Sequence, residues 1–160
     1  SNFLRKTKKM PEERLSASLE DYLEAIFHVV EAKQASRAKD IADRLNVNSS
    51  SVTSALHALK ERGLVNYEPY DLVTLTPEGL RRAKQVVRGH EALRSFFVDV
   101  LGVENSEAEA AACGMEHAMS PLVLDRLVRF VEFVGTAPGA RFQWDEDEGD
   151  FRNGTSDGRD

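Results

Sequence analysis

Between Ser18 and Leu75 the spacing of apolar residues changes period in a fixed order, and few folds accommodate that order. Leu19, Tyr22, Leu23, Ile26, Phe27 and Val30 recur at helical intervals, which predicts an amphipathic helix over 18–32. Ser18 is placed to cap it, with Glu20 and Asp21 in the first turn, where acids complement the helix dipole. Ser36 is placed to cap a short helix over 37–45 that turns Ala38, Ile41, Ala42 and Leu45 inward. After the turn Asn46-Val47-Asn48, a third helix is expected from Ser49 to Arg62, ended by Gly63. Leu64-Val65-Asn66-Tyr67 and Leu72-Val73-Thr74-Leu75 then read as two short strands joined through Glu68-Pro69-Tyr70-Asp71. Helix, tight turn, helix and a hairpin wing is the order of a winged helix-turn-helix.

In such a unit the second helix of the pair lies in the DNA major groove, with its first turns facing the bases. Here that stretch is Asn48, Ser49, Ser50, Ser51, Thr53 and Ser54, short polar side chains that allow close approach and bond phosphates or base edges. His57 and Lys60 extend the same face, and Arg37 and Lys39 at the preceding helix start suit phosphates. No Arg or Gln stands at the centre of the helix for a bidentate base contact, so readout is expected to lean on apolar contact and DNA shape. A net charge of −6 argues against nucleic acid only until it is divided. Residues 37–90 sum to +3, whereas 91–144 sum to −4 and 145–160 to −5, the asymmetry of a DNA-contacting module joined to an acidic one.

Thr76-Pro77-Glu78 is a strong helix start, and the helix is expected to run from 77 to about 100, with a possible bend at Gly89. Ser106-Glu107-Ala108-Glu109 reads as a capping box for a fifth helix reaching about 118. Ser120-Pro121 opens a sixth, striped with Leu124, Leu127, Val128, Val131 and Val134 and stopped by Gly135. The chain therefore divides into a basic arm over 1–16, a winged-helix domain over 17–76, a helical dimerisation and metal-binding domain over 77–135, and a tail over 136–160. The runs 145–150 and 154–158 are rich in acids and glycine, and the tail is expected to be disordered. The fold class is mainly α. A lone cysteine, Cys113, and the lack of an apolar signal stretch point to a reducing cytoplasm and no membrane.

Metal-ligating residue types gather in three places. Asp21 and Glu24 share a face of the first helix, His90 lies in the long helix, and Cys113, Glu116 and His117 are spaced to project from one side of the fifth. Carboxylate, imidazole and thiolate together suit a borderline divalent transition metal. His28 and His57 belong to no comparable group.

These residues resemble those of the diphtheria toxin repressor family, which includes the manganese transport regulators. The resemblance covers residues 18–134. It rests on Leu19-Glu20-Asp21-Tyr22-Leu23-Glu24-Ala25-Ile26, the Ser-rich helix, Leu75-Thr76-Pro77-Glu78-Gly79, Arg88-Gly89-His90-Glu91 and the block Cys113-Gly114-Met115-Glu116-His117-Ala118-Met119-Ser120. It implies a two-domain repressor without the SH3-like third domain of longer members. It also implies a homodimer on a double-stranded, palindromic operator, with metal bound between the domains and metal-homeostasis genes repressed. Asp21 and Glu24 match the manganese branch, Cys113 the iron branch, and His90, Glu116 and His117 both. The resemblance thus implies Mn2+, with Fe2+ as the alternative and Zn2+ or Co2+ able to enter in vitro. Arg94 stands where iron-type members place an acidic ancillary ligand, and Glu109 where they place a histidine, so that second site is expected to be altered.

Three other readings are open to a winged helix of this kind. It could answer an organic ligand in an apolar pocket, or serve only protein interaction. A small metalloenzyme with Glu116 as general base would need an open coordination position and a substrate cleft, and no loop is long enough to build one. Neither catalysis nor a protein substrate is therefore expected.

Overall fold

A computed structural model describes residues 14–68, 70, 72–136 and 142–153 of the chain. The basic arm ahead of Arg14, Pro69 and Asp71 of the wing, and the glycine-rich run at 154–158 lie outside the described residues.

The first helix, α1 (Ala17–Lys33), starts one residue earlier than its periodicity suggests, because Ser16 rather than Ser18 caps it, its Oγ accepting from Leu19 N at 3.2 Å. The second, α2 (Ala38–Leu45), is not capped by Ser36 either. Arg37 takes the cap position and its N–H donates to the Asp40 carboxylate at 3.2 Å. Ser36 is instead fully buried, its carbonyl accepting from Val73 N at 2.7 Å, so that it ties the helices to the wing. Asn48 caps α3 (Ser49–Glu61), accepting from Ser51 N at 2.9 Å.

The wing strands β1 (Val65–Asn66) and β2 (Thr74–Leu75) pair antiparallel, Val65 opposite Leu75 and Asn66 opposite Thr74. They are shorter than the alternation suggests, since Val73 bridges to Ser36 and the tip residue Tyr70 is fully exposed with φ +66°. Leu23, Ile26, Ile41, Val52, Leu56, Leu59 and Val73 are sealed from solvent and form the core of this unit.

The wing is locked onto α4 (Pro77–Ser95) by Thr76. Its Oγ accepts from Gly79 N at 3.0 Å and donates to the Gly63 carbonyl at 2.6 Å, while its N–H donates to the Leu64 carbonyl. Gly79 has no room for a side chain, because a Cβ there would lie 1.7 Å from the Leu64 carbonyl oxygen. Helix α4 then serves as the rod between two cores, with Ala83 in the first and Leu93 in the second. Helix α4 runs unbroken through Gly89, where the sequence offers a bend. Gly89 is there for a different reason: a Cβ would meet Leu124 Cδ2 at 2.7 Å, so its smallness lets α6 approach α4.

Beyond Ser95 the chain winds into a π-helical turn (Phe96–Val100), with Leu101 N donating to the Phe96 carbonyl at 3.1 Å. Helix α5 (Asn105–Met115) begins earlier than expected, because the Glu104 carboxylate takes the cap and accepts from Ser106 N at 2.8 Å. Glu109 is therefore not spent on a capping box. Helix α6 (Pro121–Thr136) follows, opened by Ser120 as expected. Of its stripe only Val128 is buried, whereas Leu122, Val123, Phe130 and Phe133 are exposed.

The tail departs most from expectation. Residues 142–153 form a hairpin of β3 (Phe142–Asp145) and β4 (Asp150–Asn153), not a disordered segment. Trp144 meets Phe151 edge to face at 5.1 Å, and its side chain lies on Gly102, where a Cβ would come within 2.6 Å. The contact of the half-buried Trp144 with Gly102 gives the hairpin an anchor that its acidic turn conceals. No helix among the described residues is long and apolar enough to cross a membrane.

Candidate metal centre

Asp21, on the first turns of α1, meets Glu116 and His117 just past the end of α5. One donor atom from each of the three lies within 4.8 Å of the others. The meeting follows from the packing of α1 and α5 against opposite parts of α4. Glu116 N still donates to the Ala112 carbonyl at 3.0 Å, so Glu116 keeps the helical direction although α5 ends at Met115.

His117 is held from both ring nitrogens. Nδ1 lies 2.5 Å from Glu20 Oε2, while Nε2 lies 2.8 Å from Asp21 Oδ1 and 3.1 Å from Glu116 Oε1. A carboxylate behind a ligating imidazole is a usual device for fixing its orientation and raising its basicity. Glu20 fills that place, a role beyond that of the dipole-complementing acid its first-turn position suggests. Its signal is its position beside Asp21, visible once the residues after α5 are seen against α1.

His90, on α4, is 2.7 Å from Glu116 Oε2 through Nδ1 and 2.7 Å from Glu109 Oε1 through Nε2. Glu109, which the resemblance sets at the second site, is thus bonded to His90. Arg94 stands near it at 3.9 Å and donates to Asn105 Oδ1 at 3.1 Å. His90, Glu109 and Arg94 thus form one network of side chains.

The electrostatics are those of crowded carboxylates. Burial and the neighbouring Glu24 charge push Glu116 up to about 7, although His90 pulls the other way. Burial disfavours the charged form of both imidazoles. The Glu109 and Glu116 interactions outweigh it at His90, and the Glu20 and Asp21 hydrogen bonds outweigh it at His117, so both are raised. Burial, with Glu116, Asp21 and Glu24 nearby, raises the Cys113 thiol.

Two expected ligands stand apart from the tight cluster. Glu24 pairs with His28 at 3.5 Å and reaches Glu116 only through its charge. Cys113 is exposed and contributes no donor to the Asp21–Glu116–His117 group. Of Cys113, Glu116 and His117, the structure brings the last two together with Asp21.

The donor set fits a divalent transition metal on one further observation. Glu116 Oε1 is buried and accepts no hydrogen bond, with the side chain only 3% exposed. A buried carboxylate oxygen without a donor is costly, and it faces His117 Nε2 and Asp21.

On the opposite unit, Arg37, Lys39, Asn48, Ser49, Ser50, Ser51, Ser54, His57 and Lys60 are exposed and Thr53 is half-buried. Several already have local partners. Asn48 caps α3 and accepts from Ser50 Oγ at 2.8 Å, and Thr53 Oγ1 donates to the Ser49 carbonyl. Lys60 pairs with Glu68, and His57 packs edge-on against Tyr67. The face with least local bonding is that of Ser49, Ser51 and Ser54.

Comparison with known proteins accounts for both halves. Residues 14–73 match the iron-dependent repressor N-terminal DNA-binding domain, and residues 76–145 match the iron-dependent repressor metal-binding and dimerisation domain. The chain belongs to the iron-dependent repressor family. Within that family it is 39% identical over 119 residues to a helix-turn-helix-type transcriptional regulator of Methanocaldococcus jannaschii, covering 74% of this chain and 95% of that one. It is 37% identical over 123 residues to the transcriptional regulator MntR of Listeria welshimeri, covering 77% and 86%. Among solved structures, a manganese-dependent transcriptional repressor in complex with manganese superposes with a TM-score of 0.65 at 30% identity, over 84% of this chain and 61% of that one. IdeR of T. acidophilum gives 0.62 at 26% identity, over 82% and 61%. The chain thus spans about three-fifths of the length of these two solved structures, and nearly all of the two curated relatives.

Proposed function

We propose that this chain is a metal-dependent, DNA-binding transcriptional repressor that answers Mn2+, with Fe2+ as the alternative metal. The observation that carries the reading is the meeting of Asp21 on α1 with Glu116 and His117 at the end of α5, around a buried carboxylate oxygen that accepts no hydrogen bond. Asp21, Glu116 and His117 would hold the cation, with Glu24, His90 and Cys113 as further candidate ligands. A bound divalent cation supplies positive charge common to two elements. Hard carboxylates with imidazole suit manganese and iron, and the exposed position of Cys113 weakens the case for a thiolate-preferring metal.

The chain's own residues explain how such a site would reach DNA. Asp21 belongs to the helix whose Leu23 and Ile26 form the core beneath α3, while Glu116 and His117 follow α5, whose Ala108 and Ala112 belong to the second core. Joining them restrains the recognition helix relative to the unit expected to dimerise. The exposed Leu122, Val123, Phe130 and Phe133 of α6 support a homodimer that buries them. In a dimer the restraint sets the distance between two copies of α3, hence the half-site spacing on a palindromic operator. Ser49, Ser51 and Ser54 would meet the groove, and Arg37 and Lys39 the phosphates.

Calorimetric titration with Mn2+ tests the site. The wild-type chain is expected to bind, and Glu116→Ala and His117→Ala to lose at least 100-fold in affinity. Retention of wild-type affinity by both variants would remove the site from these residues.

A further inference from the structure

Arg14 belongs to none of the groups above. It lies ahead of α1, and its Nη2 donates to the His117 carbonyl at 2.5 Å and to the Met119 carbonyl at 3.3 Å, more than a hundred residues away in sequence. These carbonyls emerge after α5 has ended, where helical partners run out and a basic side chain is a natural donor. The anchor behind Arg14 is firm. Leu15 is only 5% exposed within the first core, and Ser16 caps α1. Arg14 and Leu15 also line, with Glu20, Glu116 and Gly89, a cleft of about 510 Å³ beside the centre.

We infer that Arg14 is a positioning residue for the metal centre, holding the corner between α5 and α6 so that the His117 imidazole is presented to Asp21. The inference rests on the metal-site reading above. The peptide of a candidate ligand is gripped by a side chain rooted in the DNA-reading unit, and its imidazole is gripped by Glu20 and Asp21 of the same unit. His117 is thereby held at backbone and ring from one side. A ligand already fixed in place loses less freedom on binding a cation, so affinity depends on the clamp although Arg14 touches no cation. Arg14 is exposed, so the clamp adds little to global stability.

The test is Mn2+ affinity, read by electron paramagnetic resonance of the free ion, for wild type, Arg14→Ala and Arg14→Lys. Circular dichroism and melting in chelator accompany each variant. The expected result is about tenfold weaker binding for Arg14→Ala, with an unchanged far-ultraviolet spectrum and a Tm within about 2 °C of wild type. Arg14→Lys, which keeps a cationic donor, should recover most of the loss. Equal affinity in wild type and Arg14→Ala would overturn the inference and leave the metal site standing. Equal loss in both variants, or a loss that tracks a fall in Tm, would also overturn it. Failure of wild type itself to bind Mn2+ would overturn the metal-site reading and this inference together.

Discussion

In the proposed metal centre, protons and metal compete for the same lone pairs, and the competition has a calculable size. Glu116 is pushed up to about 7 by burial and by Glu24. At pH 8 about nine-tenths of it is ionised, and at pH 6 about one-tenth. A ligand must be deprotonated to bind, so Glu116 alone should weaken manganese binding about tenfold between pH 8 and pH 6. His90 and His117, both raised above the ordinary 6.5, add to the loss over the same interval. Titration calorimetry at pH 7 in two buffers of different ionisation enthalpy should count about half a proton released per ion bound from Glu116, and more from the imidazoles that bind. Stability without added metal should follow the opposite trend. For all three groups the folded chain holds its proton more tightly than the unfolded one, so their contribution is fully present in acid. It declines as pH rises, from about 4.5 to 7 for Glu116 and from 6.5 upward for the imidazoles. A manganese affinity that stays flat from pH 6 to 8, with no proton release in a folded chain, would refute the assignment of Glu116 as a ligand.

Three substitutions probe the frame and the ligand shell. Gly79→Ala drives a Cβ into the Leu64 carbonyl at 1.7 Å, and chemical denaturation should show a loss of about 3 kcal/mol or more. Gly89→Ala meets only the movable Leu124 side chain. About 1 kcal/mol of helix propensity offsets that contact, so denaturation should show a net change below about 1 kcal/mol. A large loss there would mean that α4 and α6 cannot adjust. Glu20→Gln removes the charge behind His117 Nδ1, and manganese affinity should fall about tenfold without loss of fold.

Much of the fold was legible because it rests on local patterns. The helical spacing of Tyr22, Leu23, Ile26 and Phe27 and the Thr76-Pro77 start gave α1 and α4 to within a residue at their first turns. Caps were less legible, since several polar residues stand near each helix start, and Ser16, Arg37 and Glu104 rather than Ser18, Ser36 and Ser106 take the cap positions. The hairpin of β3 and β4 was hidden by its charge, because an acidic turn reads as disorder until Trp144 is seen against Gly102. In the site, Asp21, His90, Glu116 and His117 could be named from residue type and resemblance. Glu20 could not, because its role exists only where α1 meets the residues after α5, and Glu109 was legible only as a departure at the second site. Gly89 was open to two physical reasons, a bend or a close approach, and only packing distinguishes them.

The central claim is that an ion held by Asp21, Glu116 and His117 governs the hold of α3 on DNA. Fluorescence anisotropy on an operator duplex selected in vitro with manganese-loaded protein measures that coupling, by comparing affinity in manganese and in chelator. The account predicts binding about 5- to 150-fold tighter in manganese for the wild-type chain, and no such gain for Asp21→Ala. Equal affinity in manganese and chelator for wild type, in a chain shown to bind the ion, would contradict it.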